Sequence, residues 1–474
     1  MDVKDTSEAK MSSFSKMGAR HVQIFLLFAA GFIGYGMRAS MSVGIVAMIS
    51  EKPPDESIPT YPELKDDKDT ILSSFFWGYV VFQIGAGQIA EKYGPKYFLM
   101  ASLAIASCFS ALIPYMVAQY GSTGLMVNRV IQGLCQGFLF PSTHCVLSKW
   151  TPLAERSRIA GFVYTAGPLG TSVSMIVTGF ISDTSFGWPY VFYLYGCCGL
   201  LWVLIYTYCG CNKPSEHKTI SIEERNYIEE NTMAVTDEKV RLKTPWTSIL
   251  SSLPFWAILV SHVGNNWGFW TLLTEIPSFM SSVLKYDIKS NSELSALPYL
   301  GYCILGLVLS PASDLVIGKK ILSLGGSRKL FNCVGLILPA ISLIALGYLP
   351  TGHETIAVIL LVLAVSTNAG VLVGFNVNHI DISPNFAGTL MGLTNCAANF
   401  GSFIGPLLVK YIVTDPEDEF LWRIVFMISA GLYIASAIFF VIFGSGERQD
   451  WNEPKNEVGA ANNGIELIKP KLGA

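Results

Sequence analysis

Residues 25–49 read FLLFAAGFIGYGMRASMSVGIVAMI, an apolar run with a single charged side chain, Arg38, near its middle. A helix rises about 1.5 Å per residue, so this run crosses the roughly 30 Å hydrocarbon core of a bilayer with room for tilt. Arg38 lies too deep for its side chain to reach either headgroup layer easily. A guanidinium keeps its proton when buried, so it must face protein, water or an anion. Such a charge is either a structural arginine bonded to carbonyls or part of a substrate or ion pathway, and the second is the default for intramembrane charge.

The rest of the chain has the same character. Of 474 residues, 51% are hydrophobic and 14% charged, against about 25% charged in soluble domains. The net charge of −3 carries no nucleic-acid signature. The ten cysteines fall in or at the edges of apolar runs, with spacings that match no zinc or disulfide framework. No loop holds a nucleophile–base or metal-ligand arrangement, so an enzyme is not expected, nor a cofactor or metal.

Twelve apolar runs are present, at 22–49, 71–90, 97–118, 122–148, 158–182, 188–211, 254–283, 292–317, 330–350, 354–378, 385–414 and 420–444. Of 32 lysines and arginines, five (Lys52, Lys65, Lys68, Lys285, Lys289) lie in segments on one side of the membrane. Four (Arg38, Arg129, Lys410, Arg423) fall within spans, and the remainder lie on the other side. Positive residues collect in the cytosol, so both termini are expected there. The one long polar connection, 212–245, contains SIEERNYIEEN, which predicts a short helix opened by a capping box with Ser221 as cap and Glu224 bonding back.

The two sets of six spans resemble each other. SSFFWGYVVFQIGAGQIAEKYGPK in the second run answers SALPYLGYCILGLVLSPASDLVIGKK in the eighth. Ala160-Gly161 answers Ala387-Gly388, and W-x-x-V-F recurs at 188–192 and 422–426. A parallel repeat of this kind predicts an all-α polytopic membrane protein of 12 helices in two six-helix repeats, with a site at their interface near mid-membrane. The expected organisation is a tail (1–20), a first half (21–211), a linker (212–245), a second half (246–444) and a tail (445–474).

The fourth run, LMVNRVIQGLCQGFLFPSTHCVLSKW, carries a second buried arginine. At 100° per residue Arg129, Gln132 and Gln136 share one face. Gly133 and Gly137 permit close helix contact, Pro141 predicts a kink, and His144 lies nearer the cytosolic end. Arg38 and Arg129 make a positive cavity with no carboxylate in the first-half spans to neutralise it, which favours an anion. Guanidinium groups hold carboxylate or phosphate through paired hydrogen bonds, and Tyr35 sits one turn before Arg38. The seventh run places His262, Asn265, Asn266 and Glu275 in apolar surroundings. Glu275 is the one mid-span carboxylate and a candidate proton site, although Pro277 and the outer end lie nearby. In the eleventh run Asn395, Asn399 and Ser402 form a stripe that either bonds between helices or faces the pathway. At the inner ends, GQIAEKYGPK (Gly87, Glu91, Lys92, Gly94) and the ERSR loop (Glu155, Arg156, Arg158) read as gating elements, with Glu91 pairing to Arg156 or Arg158.

The loop after the second run resembles the signature of the major facilitator superfamily. SSFFWGY-x-x-x-Q-I, KW-x-P-x-x-ERSR, NWGFWTLLTEIPSF and GFNVNHIDISPNFAGTLMG resemble solute carrier family 17, over residues 20 to 452 or so. That family includes sialin, the vesicular glutamate transporters and the sodium–phosphate cotransporters. The resemblance implies the major facilitator fold and transport of anions by alternating access. It also implies that Arg38 and Arg129 are anion-binding arginines and that His144 is the family histidine. Four positions depart from it: Gln136 stands where proton-coupled members carry glutamate, and Gln132 where sialin-like members carry an acid. Leu72 and Asn265 replace a histidine and an arginine of the vesicular glutamate transporters.

The expected function is therefore a secondary transporter of inorganic phosphate or small organic anions, driven by sodium or by membrane potential. The alternative is a proton-coupled, sialin-like carrier of acidic sugars or amino acids. Arg38, Arg129, Tyr35, Gln136, His144, Asn395 and Asn399 are its expected substrate contacts. It is expected to be a monomer in the plasma membrane or a lysosomal or vesicular membrane, with the bilayer, a small anion and co-transported Na+ or H+ as partners.

Overall fold

The computed structural model describes residues 18–50, 55–232, 244–284, 288–350, 352–415 and 417–453. The ends of both expected tails, the middle of the linker, Lys52 and Lys285 lie outside the described residues, as do the side chains of Pro277, Lys289, Ser402 and Lys410.

Among the described residues, nine helices are long and apolar enough to cross a membrane. One of them, spanning 56 residues from Pro95 to Trp150, folds back at Gly121, whose φ of 56° is open to glycine and strained for other residues. It therefore supplies the third and fourth spans. Leu253–Ser282 and Ala387–Ile412 occupy the positions of the seventh and eleventh, interrupted by the polar residues noted above. The result is the twelve-span, all-α chain that the apolar runs anticipate. The other spans are Ala19–Met48 (first), Lys68–Tyr93 (second), Arg156–Ser182 (fifth), Trp188–Cys209 (sixth), Ile288–Gly318 (eighth), Leu324–Gly347 (ninth), Glu354–Ile382 (tenth, in pieces) and Glu419–Phe443 (twelfth).

The fourth span breaks at Gly137-Phe138 and resumes as Leu139–Trp150. Pro141 explains the break: its ring collides with the carbonyl four residues back, at Gly137, and it offers no N–H. The tenth span is also interrupted, by the 3-10 turn Asn368–Leu372.

Packing inside each half rests on small residues, because lipid tails are as apolar as leucine and helices adhere only where backbones approach. The second and fourth spans cross with Gly78 against the Val130 carbonyl and Gly133 against the Phe75 carbonyl. The first and fifth cross at Gly170, with Ser174 Oγ donating to the Gly36 carbonyl at 2.8 Å. The repeated tryptophans and phenylalanines (Trp188, Phe192, Trp422, Phe426) are buried at matching places in the two halves.

Two seams join the halves. The second span meets the eleventh, where Gly87 lies against Gly388, and the fifth meets the eighth, where Gly161 lies against Ser310. The start of the first span, the short helix Ile222–Asn231 and the segment after Gly444 gather at one end of the bundle, called here the terminal end. Ser221 Oγ caps the short helix by accepting from the Glu224 N–H at 3.1 Å. Glu224 does not bond back as a capping box predicts. Its carboxylate instead accepts from the Ala19 and Arg20 N–H groups at 3.0 and 3.1 Å, satisfying the first span's open N-terminus.

Gly78→Ala should lower stability by about 1–3 kcal/mol, because the added methyl must displace backbone. A thermal-unfolding scan in detergent should show this, with Gly179→Ala, which has open space around it, unchanged. Equal melting temperatures for the two variants would refute the close-crossing account.

Candidate functional site

Arg38 and Arg129 meet in the interior. Arg38 is 9% exposed and Arg129 2%, and both guanidinium carbons lie 4.8 Å from the centre of the Phe75 ring. Arg38 is also ringed by Phe76 at 4.4 Å, Trp270 at 4.8 Å, Tyr79 at 5.3 Å and Tyr35 at 5.7 Å. Trp270 comes from the seventh span, so the cage is closed by the other half of the molecule, and its ring meets Phe76 edge-on at 5.7 Å. A desolvated cation–ring contact is worth about 2 kcal/mol or more. Ring faces attract the charge but accept no strong hydrogen bonds.

Four donors are consequently left over. Arg38 Nη2, Arg129 Nε, Gln132 Nε2 and Gln136 Nε2 are buried without a hydrogen-bond partner among the described residues. The bond that exists within the group runs from Arg129 Nη1 to Gln132 Oε1 at 3.2 Å, which uses up an acceptor. Neither guanidinium has an ion-pair partner among the described residues. Buried N–H groups are normally satisfied, and an all-donor, doubly positive cluster is chemically suited to an acceptor-rich anion.

The other expected contacts divide. Asn395 Nδ2 donates to the Tyr79 hydroxyl at 3.2 Å, linking the eleventh span to the Arg38 cage. Asn399 spends its amide on the Asn395 carbonyl of its own helix, at 2.7 Å. His144 is not beside the arginines. It is fully buried nearer the terminal end, with Nε2 2.8 Å from the Tyr164 hydroxyl and its ring edge-on to His379. Glu275 is half-buried one and a half turns beyond Trp270 on the seventh span.

The terminal end is sealed, but not by the expected pair. Glu91 does not bind Arg156 or Arg158. Its carboxylate accepts from the Thr389 N–H at 2.8 Å and the Thr389 hydroxyl at 2.6 Å, at the N-terminus of the eleventh span. Its repeat-mate at the end of the eighth span, Asp314, accepts from the Ser157 and Arg158 N–H groups at 3.0 and 2.8 Å, at the N-terminus of the fifth span. Each half thus places an acid on a helix dipole of the other, where open N–H groups favour negative charge. Arg156 pairs instead with Asp381 at 2.9 Å, and Arg328 holds the same carboxylate at 2.6 Å while donating to Ser157 Oγ at 2.8 Å. All three charged side chains are at most 1% exposed. Arg158 pairs with Glu155 at 3.2 Å, and Glu155 with Arg20 at 3.0 Å. Lys92 is exposed over the Tyr93 ring and takes no part in the seal. Gly94, with φ of 90°, makes the turn beside Asn212, and Gly87 permits the approach of Gly388.

The residues missed from the sequence are therefore Phe75, Phe76, Tyr79 and Trp270 around Arg38, and Thr389, Asp314, Asp381 and Arg328 in the seal. A signal existed for some of them: Phe75, Phe76 and Tyr79 share the motif SSFFWGY, and Asp381 is a charge at the end of an apolar run.

Residues 28–406 match the family described as Major Facilitator Superfamily. A Drosophila melanogaster protein with the provisional name inorganic phosphate cotransporter is 38% identical over 463 residues, covering 92% of this chain and 87% of its own length. Sialin of Homo sapiens is 34% identical over 455 residues, covering 91% of this chain and 90% of that protein. Vesicular glutamate transporter 2 of Homo sapiens is 33% identical over 446 residues, covering 92% of this chain and 76% of that protein. Among solved structures, the proton:xylose symporter XylE bound to 6-bromo-6-deoxy-D-glucose superposes with a TM-score of 0.67 at 16% identity, over 90% of this chain and 98% of that one, a likeness of fold.

Two variants test the seal. Asp381→Asn leaves two buried guanidiniums without a counter-charge and should cost about 3–5 kcal/mol of stability, read as a lowered unfolding midpoint. Glu91→Gln should raise the maleimide labelling rate of Cys145 severalfold when it is the sole cysteine, since Cys145 is 2% exposed beside the Gly388 contact. An unaltered rate would mean that Glu91 does not hold this end closed.

Proposed function

The chain belongs to the major facilitator superfamily and, within it, to solute carrier family 17, and on that footing we propose that it carries small anions across a membrane through the Arg38–Arg129 site. The observation that carries this reading is the cluster of four N–H donors around two guanidiniums that, among the described residues, have neither a hydrogen-bond partner for those donors nor a counter-ion. The substrate names of its relatives, phosphate cotransporter and vesicular glutamate transporter, are anionic and agree with it.

The mechanism follows from the two kinds of contact. At the terminal end, assigned to the cytosol by the lysine and arginine balance, the halves are held by Glu91, Asp314 and the Arg156–Asp381–Arg328 cluster. Arg38 lies nearer the opposite end, about ten residues or roughly 15 Å from Met48. An anion entering from that side exchanges ring faces for hydrogen-bonded oxygens on Arg38. Trp270 belongs to the other half, so displacing it from Arg38 couples occupancy to the relative position of the halves. Alternating access then consists of exchanging the terminal seal for closure around Phe76 and Trp270.

The driving ion is proposed as sodium, or the membrane potential alone, because Gln136 does not titrate. A second reading, proton-coupled transport of an organic anion, draws on His262 and His379. They share the Thr394 hydroxyl at 3.1 and 2.8 Å in the second half, and Glu275 lies farther along the seventh span. Uptake of labelled phosphate into proteoliposomes, with imposed sodium or pH gradients, separates the two. Sodium-driven accumulation supports the first; sodium-independent uptake that a protonophore abolishes selects the second.

Arg38→Lys retains the charge but loses the two-pronged donor. Losing one charged hydrogen bond of about 1.5–3 kcal/mol should reduce transport efficiency by about one to two orders of magnitude. Flux at the wild-type level in this variant would remove Arg38 from the substrate site.

A further inference from the structure

We infer that the site takes its substrate as a dianion, a doubly charged oxyanion such as hydrogen phosphate, sulfate or a dicarboxylate, in preference to a singly charged one. This inference rests on the anion-transport reading and narrows it.

The argument is one of charge balance. Arg38 and Arg129 flank the same ring, Phe75, and bring two positive charges into one buried region. Positions 132 and 136, beside them on the fourth span, hold amides: both are at most 4% exposed, and neither Nε2 has a hydrogen-bond partner among the described residues. A glutamate at 136 would have nearly the same shape and would lower the site to a single positive charge; glutamine leaves it at two. Unpaired charge in a low-dielectric interior is costly, and a monoanion would leave one such charge behind. A dianion neutralises the pair, and its several oxygens match a cluster whose free groups are all donors.

The other ionisable groups near the arginines do not supply the missing charge. Tyr35, Tyr79 and, next to Tyr35, Tyr302 are phenols, a class that ionises near pH 10. The partners that the structure gives Arg38 and Arg129 are aromatic rings and the Gln132 amide oxygen, none of them an acid. The charge of the site is thus constant around neutral pH, and pH acts through the substrate. Phosphate exchanges its second proton near neutrality and becomes a better ligand as pH rises, whereas sulfate stays doubly charged.

The test is thermal stabilisation of the purified full chain by sulfate, phosphate and succinate against chloride, acetate and lactate, at matched ionic strength from pH 6 to 8. Divalent anions should act at concentrations at least tenfold lower than monovalent ones. The half-effective phosphate concentration should fall severalfold from pH 6 to 8 while that of sulfate stays level. Arg38→Gln should abolish the difference, which separates site binding from the general stabilising effect of sulfate. Gln136→Glu should reduce the divalent preference at least tenfold, and Arg129→Gln, which also removes one positive charge, should do the same if that variant does not fold. Monovalent anions acting equally well, or a phosphate response flat with pH, would overturn the dianion inference and leave anion transport standing. No response to any anion would overturn both.

Discussion

The Asp381 carboxylate sits fully buried between Arg156 of the first half and Arg328 of the second, and the closed arrangement depends on it. Charges are removed from water only at high cost, so this cluster persists because each guanidinium meets the Asp381 carboxylate, with Arg328 bonded further to Ser157 and the Val373 carbonyl, while Arg156 Nε and Nη2 have no hydrogen-bond partner among the described residues. A cluster so arranged is bistable. Either the halves meet and the charges satisfy one another, or they part and water does.

Two further contacts obey the same rule under the molecule's internal symmetry. Glu91 ends the second span and meets the N-terminus of the eleventh; Asp314 ends the eighth and meets that of the fifth. Helix N-termini carry unsatisfied N–H groups in any case, so an acid from the opposite half satisfies them at little cost in side-chain ordering. These bonds are replaceable by water, which suits a seal that must open in each cycle. Serine and glycine at Ser157, Gly87 and Gly388 allow the approach, and bulkier residues would hold the helices apart.

The proposed anion site differs from the seal in having no carboxylate among the described partners of its two guanidiniums. Arg38 and Arg129 are surrounded by rings and amides that leave donors unanswered, a state that favours an incoming acceptor. The site and the seal therefore share one currency, buried charge seeking a partner. In the proposed mechanism one pairs its charges when the halves close at the terminal end, and the other pairs them when an anion arrives.

What the sequence determined by itself follows from local physics. Transfer free energy and helical rise marked the spans; the lysine and arginine balance gave the orientation expected of them; and a charge such as Arg38 in an apolar run declared itself without reference to its neighbours. The 3.6-residue period also placed Arg129, Gln132 and Gln136 on one face. Tertiary structure decided the partners. Glu91 and Thr389 are 298 residues apart, and Arg156 and Asp381 are 225 apart, so no period or spacing connects them. Charge complementarity suggested Glu91 with Arg156, but helix ends supplied a competing acceptor-seeking group that composition does not reveal. The same limit hid the ring cage around Arg38, since Phe75, Phe76 and Trp270 read as lipid-facing or core residues until the halves are brought together. It also hid the partners of His144, Tyr164 and His379, which lie on other spans. Helices are specified by neighbours in the chain, whereas a site between two halves is specified by how those helices pack.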